Sequence, residues 1–397
     1  MISVTKLLGG PEFYGDRLRY DSTSSKQKHG TRAGSGPVVV WNSTKTCNLE
    51  CIHCYASAKK KAFPGEMTTE EGRALIDDLA SFNVPALLMS GGEPFVRPDI
   101  IELAEYAIKS GVRVTFSTNG ILIDDARAKK LKEIGVTYCG ISIDGAEPRH
   151  DHMRGKQGAF QETLRGIRNC RKYDIRVGLR FTLTSDNIGD IDEIFRIVER
   201  EDIGRLCIYH LVYTGRGAYL SGIDPTAEQK RAFLDKLIRQ TDKWNAEGRN
   251  VEVMTVDNHA DGPFIYMWLL ENDPARAEAA YELVMKNGGN RTGVAIGAID
   301  SFGQVHPDQF TQHHVVGNIR ERTFSEIWSD EHVALLDGLR NRKEKLRGRC
   351  AECKWLSCCN GNFRARAEGA FSDYWASDPG CYLTDEEIGI TEKQVTA

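Results

Sequence analysis

Two groups of cysteines constrain the fold of this chain more than any other feature. Eight of the eleven cysteines fall in these groups: Cys47, Cys51 and Cys54 near the start, and Cys350, Cys353, Cys358, Cys359 and Cys381 near the end. Clustered thiols in a chain without a secretion signal more often bind metal than form disulfides. The fold must therefore gather each group around a common centre. The isolated Cys139, Cys170 and Cys207 are predicted to be small buried hydrophobes.

Composition excludes several classes of protein. The 397 residues are 41% hydrophobic, which is enough for a large buried core, and they carry a formal net charge of -4. A chain without a basic excess is not expected to bind nucleic acid. The first residues lack the apolar core of a secretion signal, and the longest apolar run, residues 264–270, is far shorter than the ~20 residues that span a bilayer. We therefore predict a cytoplasmic protein that binds neither nucleic acid nor membrane.

Short β-rich runs alternate with amphipathic segments from residue 38 onward. This pattern favours an α/β fold with a parallel sheet, in which the helices include residues 69–81 and 124–134. In parallel barrels the chemistry lies on the loops after the strands, and here those loops are rich in cysteine, glycine and polar residues. The six predicted strands are residues 38–44, 86–92, 112–118, 137–144, 175–184 and 205–213.

The first cysteine group follows the first predicted strand with the spacing Cys-x3-Cys-x2-Cys. Taken alone, it could be a zinc site, an iron–sulfur site or a set of redox thiols. Structural zinc normally takes four protein ligands. A [4Fe–4S] cluster held by three thiolates instead leaves one iron with an open position for an exogenous ligand. Three ligands rather than four therefore favour the cluster.

This spacing after the first strand resembles the signature of the radical S-adenosylmethionine (SAM) superfamily. The resemblance implies a partial (β/α)6 barrel of the TIM-like type, with a [4Fe–4S] cluster on Cys47, Cys51 and Cys54. In that family SAM chelates the open iron and is cleaved by an electron to methionine and a 5′-deoxyadenosyl radical. It also implies oxygen-free conditions and a low-potential electron donor of the ferredoxin or flavodoxin class.

The resemblance further implies a SAM site at the strand ends. Gly91, Gly92 and Glu93 resemble the GGEP element that contacts the methionine amino group. Polar residues of STNG and SIDG resemble those that meet the ribose and the methionyl group, and an arginine could pair with the methionine carboxylate. For each residue the alternative is ordinary strand-end capping. The remaining predicted SAM contacts are Ser117, Asn119, Ser142, Asp144, Arg180, Asn187 and Tyr55.

The second cysteine group has the spacing Cys350-x2-Cys353-x5-Cys359, with Cys381 further on. Taken alone, four cysteines could hold zinc equally well. The region resembles the SPASM or twitch extensions of radical SAM proteins, which implies an auxiliary [4Fe–4S] cluster on these four residues. Full SPASM extensions usually carry a cysteine where this chain has residues 306–308, so we expect one auxiliary cluster. Cys358 is the spare thiol, although spacing alone would allow it to replace Cys359.

These features divide the chain into four predicted segments. An N-terminal arm is followed by the radical SAM barrel, a helical connection containing one possible strand, and a domain for the auxiliary cluster. The predicted segments are residues 1–36, 37–225, 226–289 and 290–397.

The stretches KLLGGPEFYGDRLRY, VHPDQF, GNIRE and DPGC resemble a group of radical SAM enzymes that act on tetrapyrroles. The leading arm resembles the didecarboxysirohaem deacetylase of the alternative haem pathway. That resemblance implies removal of two acetate side chains from 12,18-didecarboxysirohaem to give Fe-coproporphyrin III. The alternatives are a NirJ-type haem d1 enzyme that removes propionates, an Fe-coproporphyrin III decarboxylase, a peptide-modifying SPASM enzyme and a non-enzymatic zinc scaffold.

A tetrapyrrole with several carboxylates and a central iron is expected to attract arginine and histidine. The leading candidates for catalytic residues are His210, at a strand end, His306, beside the second cysteine group, and Arg154. Further candidates for carboxylate or iron contacts are Arg17, Arg19, Arg216, His150, His152, His259, His313 and His314.

Overall fold

The alternating segments form one open sheet in the computed structural model of the protein, which describes residues 1–21 and 27–390. Each strand is short and mostly buried, as expected of a sheet covered by helices. Its eleven strands are β1 (Ile2–Ser3), β2 (Val38–Asn42), β3 (Leu87–Ser90), β4 (Val114–Thr118), β5 (Tyr138–Ser142), β6 (Arg176–Leu183), β7 (Arg205–His210), β8 (Glu252–Val256), β9 (Ile296–Ile299), β10 (Gln304–His306) and β11 (Gly317–Asn318).

Helices connect and cover these strands. Several begin at a capping box, as α3 does, where Thr68 and Glu71 satisfy each other's backbone N–H groups. The helices are α1 (Val4–Leu7), α2 (Asp16–Arg19), α3 (Thr69–Ser81), α4 (Ile100–Lys109), α5 (Asp125–Glu133), α6 (Glu147–Arg154), α7 (Ala159–Lys172), α8 (Ile191–Arg200), α9 (Ala227–Ala246), α10 (Asp261–Asn272), α11 (Pro274–Asn287), α12 (Phe324–Ser329), α13 (Ala334–Arg340), α14 (Arg349–Glu352), α15 (Leu356–Cys359), α16 (Arg364–Phe371) and α17 (Asp385–Ile388).

The strand order is β1-β8-β7-β6-β5-β4-β3-β2-β9-β10-β11. The strands from β8 through β9 in this order are parallel, whereas β1, β10 and β11 pair in the antiparallel sense at the two edges. Because parallel strands all end at the same side of a sheet, the loops after them meet there. The hairpin of β9 and β10 extends the same sheet, since β9 pairs with β2.

The predicted α/β fold and its six strands are confirmed, with strand ends a few residues shorter than predicted in several places. The stretch VEVMTVD, which was expected only as a possible strand among helices, forms β8 and is buried along its length. It pairs in parallel with β7, so the parallel sheet continues beyond the six predicted units. The four-segment division stays a prediction: the sheet runs across its boundaries near 225 and 289, and residues 22–26 and 391–397 lie outside the described residues.

Along each strand, successive side chains point to opposite faces of the sheet. On β7 and β8 the inward residues Cys207, Tyr209, Met254 and Val256 pack together in a small cluster. The residues between them join the main core under the helices. The isolated cysteines at 139, 170 and 207 are buried, as predicted.

The helices of residues 1–21 and 27–390 include none whose length and apolar character would let it cross a membrane. The cytoplasmic location stays a prediction.

Candidate functional site

A cavity of about 1210 Å³ opens at the carboxyl ends of the parallel strands. The loop after β2 contributes the first three cysteines to its wall, and the ends of β3, β4, β5 and β6 contribute most of the predicted SAM contacts. The sequence-predicted residues that line it are Cys47, Cys51, Cys54, Tyr55, Gly91, Gly92, Ser117, Asn119, Ser142, Arg154, Arg180, His210 and Arg216.

Protein contacts hold the cysteine loop in place. The backbone N–H of Leu49 donates to Cys47 Sγ over 3.4 Å, and Arg216 donates to the carbonyls of Cys51 and Ala58 over 2.7 and 2.8 Å. Burial raises the pKa of the Cys47 thiol to about 12 and also raises that of Cys51. The thiols therefore hold their protons at neutral pH, and a metal that binds there must displace them.

Arg154 brings a positive charge to the same loop. Its guanidinium lies 3.6 Å from Cys51 Sγ and 2.5 Å from the buried Asp144 carboxylate, which also accepts the N–H of Thr182. Burial acts to raise the pKa of Asp144, but Arg154, with smaller contributions from His53, His150 and the N–H of Thr182, holds the pKa below its ordinary value. Asp144 lies behind the cavity wall and orients Arg154, so its predicted contact with SAM is not favoured by this arrangement.

Asn187 also lies behind the wall. Its amide donates to the carbonyls of Asp144 and Thr182 and accepts the N–H of Thr184. These bonds close the turn after β6 and occupy the amide, so Asn187 holds the loop that carries the Asp144–Arg154 pair. Direct support of a bound carboxylate by this residue stays a prediction.

The GGEP element packs closely against the backbone of the loop after β2. A side chain at Gly91 or Gly92 would come within 2.4 or 2.1 Å of a backbone oxygen of that loop, so these positions require glycine. Glu93 is fully buried and accepts hydrogen bonds from Thr118 Oγ1 and the N–H of Asn119 over 2.8 and 2.9 Å. Burial raises its pKa to about 7. The element thus fixes the ends of β3 and β4 beside the cavity, and the predicted contact of Glu93 with SAM stays a prediction.

Aromatic and cationic groups form other parts of the wall. The Tyr55 hydroxyl donates to Asn42 Oδ1 over 3.1 Å, and its ring lies edge-on to Phe310 at 5.0 Å between centroids. Arg180 donates to Ser117 Oγ and lies 5.9 Å from the ring of Tyr209. This arginine therefore presents a fixed charge at the centre of the strand ends.

The two candidate histidines are tied to protein partners. His210 borders the cavity, but it follows the inward-facing Tyr209, and its Nε2 lies 2.9 Å from Asp261 Oδ2. His306 is fully buried, hydrogen-bonds through Nδ1 to the carbonyl of His314, and lies outside the cavity lining. A catalytic role for either residue stays a prediction that this arrangement does not favour.

The remaining substrate candidates lie elsewhere. Arg17 is largely exposed near Glu12, and Arg19 pairs with Asp16 and Glu252. None of them lines the cavity. The histidines are divided between buried and exposed positions: His150 and His259 are buried, His314 is partly buried, and His152 and His313 are exposed.

The residues of the cavity wall that sequence reasoning missed include His53, Asp257, Gln309 and Phe310. Asp257 ends the stretch that forms β8, has a φ of 66°, and is buried, which raises its pKa to about 7. The rule that chemistry follows strand ends would have found it if β8 had been assigned to the sheet. Gln309 and Phe310 belong to VHPDQF, which had been read only as a family feature.

The second cysteine group surrounds a smaller cavity of about 450 Å³, below α10 and beside α14 and α15. Cys350, Cys353, Cys359 and Cys381 all line it. Cys358 does not, because its thiol donates to the Trp355 carbonyl over 3.2 Å and packs in the main core. The geometry thus favours Cys359 over Cys358 as the fourth ligand.

An ion pair links the two cavities. Arg366 and Asp378 are fully buried and joined by two bonds of 2.8 Å, and Asp378 lines the smaller cavity. The same arginine donates to the carbonyls of Leu211 and Asp257, which line the larger one. Arg366 therefore connects the walls of the two cavities.

Comparisons with known proteins agree with this arrangement. The model of the radical SAM superfamily matches residues 41–198, and that of the SPASM iron–sulfur cluster-binding domain matches residues 295–354. Fe-coproporphyrin III synthase of Methanosarcina barkeri is 50% identical over 398 residues, which cover 99% of this chain and 100% of that protein. The chain belongs to the radical SAM superfamily.

Two further relatives are less similar to this chain than that synthase. Pre-heme d1 synthase of Dinoroseobacter shibae is 39% identical over 95% of this chain and 92% of that protein. AdoMet-dependent heme synthase of Methanosarcina barkeri is 33% identical over 87% of this chain and 95% of that protein. Among solved structures, Streptococcus suis SuiB bound to S-adenosylmethionine superposes with a TM-score of 0.68 at 16% identity, covering 88% of this chain and 78% of SuiB. That likeness concerns the fold.

As a radical SAM enzyme with a SPASM domain, the protein uses a [4Fe–4S] cluster that binds SAM and an auxiliary iron–sulfur cluster. The donor sets fit both groups. Three thiols share the larger cavity with space beside them, and four thiols enclose the smaller one.

Proposed function

We propose that this radical SAM enzyme removes the two acetate side chains of 12,18-didecarboxysirohaem to give Fe-coproporphyrin III. The observation that carries the proposal is the full-length alignment, at half identity, with a protein named for synthesis of that product. The two more distant relatives named above also bear names of haem-forming enzymes. A tetrapyrrole is therefore the substrate class we infer.

The larger cavity suits such a ligand. It opens at the carboxyl ends of the strands, and its wall combines the three thiols with aromatic, cationic and polar side chains. Several polar atoms in its wall have no hydrogen-bond partner among the described residues: His53 Nδ1, Arg180 Nε, Arg216 Nη2, Asp257 Oδ2 and Gln309 Oε1. Buried polar atoms of this kind are normally satisfied, so they are available to a polar ligand.

Each part of the wall has a task in this proposal. Cys47, Cys51 and Cys54 would hold the first cluster, which with SAM would supply the radical chemistry of this superfamily. Arg180 offers its charge to a carboxylate of SAM or substrate, and Phe310 and Tyr55 exclude water from one side. Asp257, whose pKa lies at about 7, can hold or release a proton near neutral pH. The electron comes from a low-potential ferredoxin or flavodoxin.

The test is an oxygen-free incubation of cluster-loaded protein with 12,18-didecarboxysirohaem, SAM and a strong reductant. We expect mass spectrometry to detect a tetrapyrrole that has lost both acetate side chains, together with 5′-deoxyadenosine. Protein in which Cys47, Cys51 and Cys54 are replaced by alanine serves as the control and should form neither. Cleavage of SAM without any change in the tetrapyrrole would refute the proposed substrate while leaving the radical SAM chemistry intact.

A haem d1 reaction of the NirJ type is the second candidate, supported by the 39% identical pre-heme d1 synthase. The same assay separates it, because loss of propionate carbons gives a different mass from loss of acetates. With Fe-coproporphyrin III supplied in place of 12,18-didecarboxysirohaem, decarboxylated propionates would instead indicate an Fe-coproporphyrin III decarboxylase. Modification of a supplied peptide, with both tetrapyrroles left unchanged, would indicate the peptide-modifying alternative.

A further inference from the structure

Two adjacent histidines and a glutamate converge outside both cysteine sites. His313 Nε2 lies 2.8 Å from one Glu368 oxygen, and His314 Nε2 lies 2.9 and 3.0 Å from the two oxygens. One ligand atom from each residue falls within 4.8 Å of the others. The histidines belong to the loop between β10 and β11, and Glu368 belongs to α16, so the group joins two separate elements.

The surroundings hold the group in position. His306 Nδ1 binds the carbonyl of His314 over 3.0 Å, and the ring of His314 lies edge-on to Tyr374 at 5.1 Å. Glu368 follows the buried Arg364 and Arg366 on the same helix, which fix α16 against the rest of the domain. His313 keeps 55% of its side chain exposed, so an ion could enter from solvent and complete its coordination with water.

The chemistry of these ligands selects a class of ion. Two imidazoles and one carboxylate suit divalent d-block ions such as Zn²⁺ and Fe²⁺, whereas Mg²⁺ and Ca²⁺ prefer sites made of oxygen alone. Three protein ligands with open positions are also a recurring arrangement for such ions. A surface ion pair of one histidine and one carboxylate would not need a second imidazole on the same carboxylate.

We propose that His313, His314 and Glu368 bind one divalent d-block cation, which clamps the β10–β11 loop to α16. This loop carries Gln309 and Phe310 into the wall of the larger cavity. Both clamped elements reach its rim: Thr214 Oγ1 donates to the Phe310 carbonyl over 2.9 Å, and α16 packs at Gly369 against the Tyr213 backbone. The ion would therefore fix one wall of the cavity, whatever substrate that cavity accepts.

The test uses cluster-loaded protein, freed of loose metal with a weak chelator, and Zn²⁺ as the probe. We expect one equivalent of zinc to remain after gel filtration. X-ray absorption at the zinc edge should fit nitrogen and oxygen neighbours at about 2.0–2.1 Å. The H313N/H314N variant should lose that equivalent, and E368Q should weaken binding at least about 10-fold, because each removes a direct ligand. In the native protein, zinc should slow amide hydrogen exchange in residues 307–316.

Matched controls come from exposed residues of the same domain. H332N removes another exposed histidine and E344Q another exposed carboxylate, and both should bind zinc as the native protein does. Zinc binding that survives H313N/H314N, or a sulfur neighbour at about 2.3 Å, would overturn the site, since it would place the ion on cysteines. Bound zinc that leaves hydrogen exchange in residues 307–316 unchanged would overturn the clamp.

Discussion

The two cysteine sites differ in how much of a cluster's coordination the chain supplies. At the first site three thiols border a cavity of about 1210 Å³. Its wall also holds arginine side chains, glycines and polar atoms that have no hydrogen-bond partner among the described residues. At the second site four thiols enclose about 450 Å³. An iron with an open position can bind and activate a molecule, whereas a fully ligated cluster can only pass electrons or support its surroundings. The difference thus assigns the chemistry to the first site.

The sites also differ in how their thiols are held. The first three lie on one loop after β2, fastened by Arg216 and approached by Arg154. The second four come from α14, the segment between α14 and α15, α15 itself and a distant loop at Cys381, so that they assemble only when the domain has folded. Arg366 joins the two regions through Asp378 on one side and backbone carbonyls of the larger cavity on the other. Each site can therefore be disturbed by itself, and the link between them can be tested.

The largest expected effect comes from removing the three thiols of the first site, where one iron of the cluster keeps an open position. With Cys47, Cys51 and Cys54 replaced by alanine, 5′-deoxyadenosine formation should fall to background, because SAM loses the iron that binds it. Iron should fall from about eight to about four atoms per chain, as expected for the loss of one of two [4Fe–4S] clusters. Replacing Cys350, Cys353, Cys359 and Cys381 should also remove about four irons but leave SAM cleavage by a strong reductant. SAM cleavage by the variant without Cys47, Cys51 and Cys54 would contradict the assignment of the chemistry to the first site.

Single substitutions distinguish Cys359, the proposed cluster ligand of the second site, from its neighbour Cys358. C359S should lose the auxiliary cluster, so iron falls by about four atoms per chain, whereas C358S should keep it. The reason is geometric: Cys359 lines the cavity, and the Cys358 thiol is bonded to the Trp355 carbonyl in the core. Iron analysis and the auxiliary-cluster signal in electron paramagnetic resonance measure the difference. The opposite result would exchange the two assignments.

Much of this comparison could be predicted from the sequence, because it depends on local order along the chain. The polar strand ends, together with the resemblance to the radical SAM family, pointed to Ser117, Asn119, Ser142 and Arg180, and all four line the larger cavity. The six strands could be predicted because their apolar runs alternate with amphipathic helices. These features depend on residues that are close together in the sequence, so they can be predicted without knowledge of tertiary contacts.

The partners of individual side chains could not be predicted in this way. Asp144 lies two residues beyond Ser142, the last residue of β5, but Arg154 and the N–H of Thr182 hold its carboxylate behind the wall. His210 stands at a strand end, yet the alternation of β7 turns it away from the side that Tyr209 faces. The parallel pairing of β8 depends on contacts across many residues, so Asp257 was missed as well.

Breaking either buried arginine pair should destabilise the fold. R154M and R366M each leave a buried carboxylate without its partner, which typically lowers the free energy of unfolding by about 3–5 kcal/mol. K236M removes an exposed pair, with side chains 46% and 55% accessible, and should change it by less than about 1 kcal/mol. Denaturant unfolding of the loaded protein measures all three. If R366M behaved like K236M, the Arg366–Asp378 pair would not stabilise the junction between the two cavities.

The smallest effect concerns the pH dependence of Glu93 at the open site. Burial raises its pKa from 4.5 to about 7, so the folded protein binds a proton there that the unfolded chain releases above pH 4.5. The resulting stabilisation is complete below pH 4.5 and is lost as the pH rises through about 7. Between pH 5.5 and 8 the native protein should therefore lose about 2 kcal/mol of unfolding free energy that E93Q does not lose.

The closed site provides the contrast for this measurement. Burial acts to raise the pKa of Asp378, but the charge of Arg366 holds it below its ordinary value, so the carboxylate stays ionised throughout pH 5.5 to 8. D378N should therefore lower the stability by the same amount across this range, while the difference between native protein and E93Q changes with pH. Parallel stability curves for the native protein and E93Q would mean that Glu93 is already ionised at pH 5.5. Its three hydrogen-bond donors, from Phe95, Thr118 and Asn119, would then outweigh its burial.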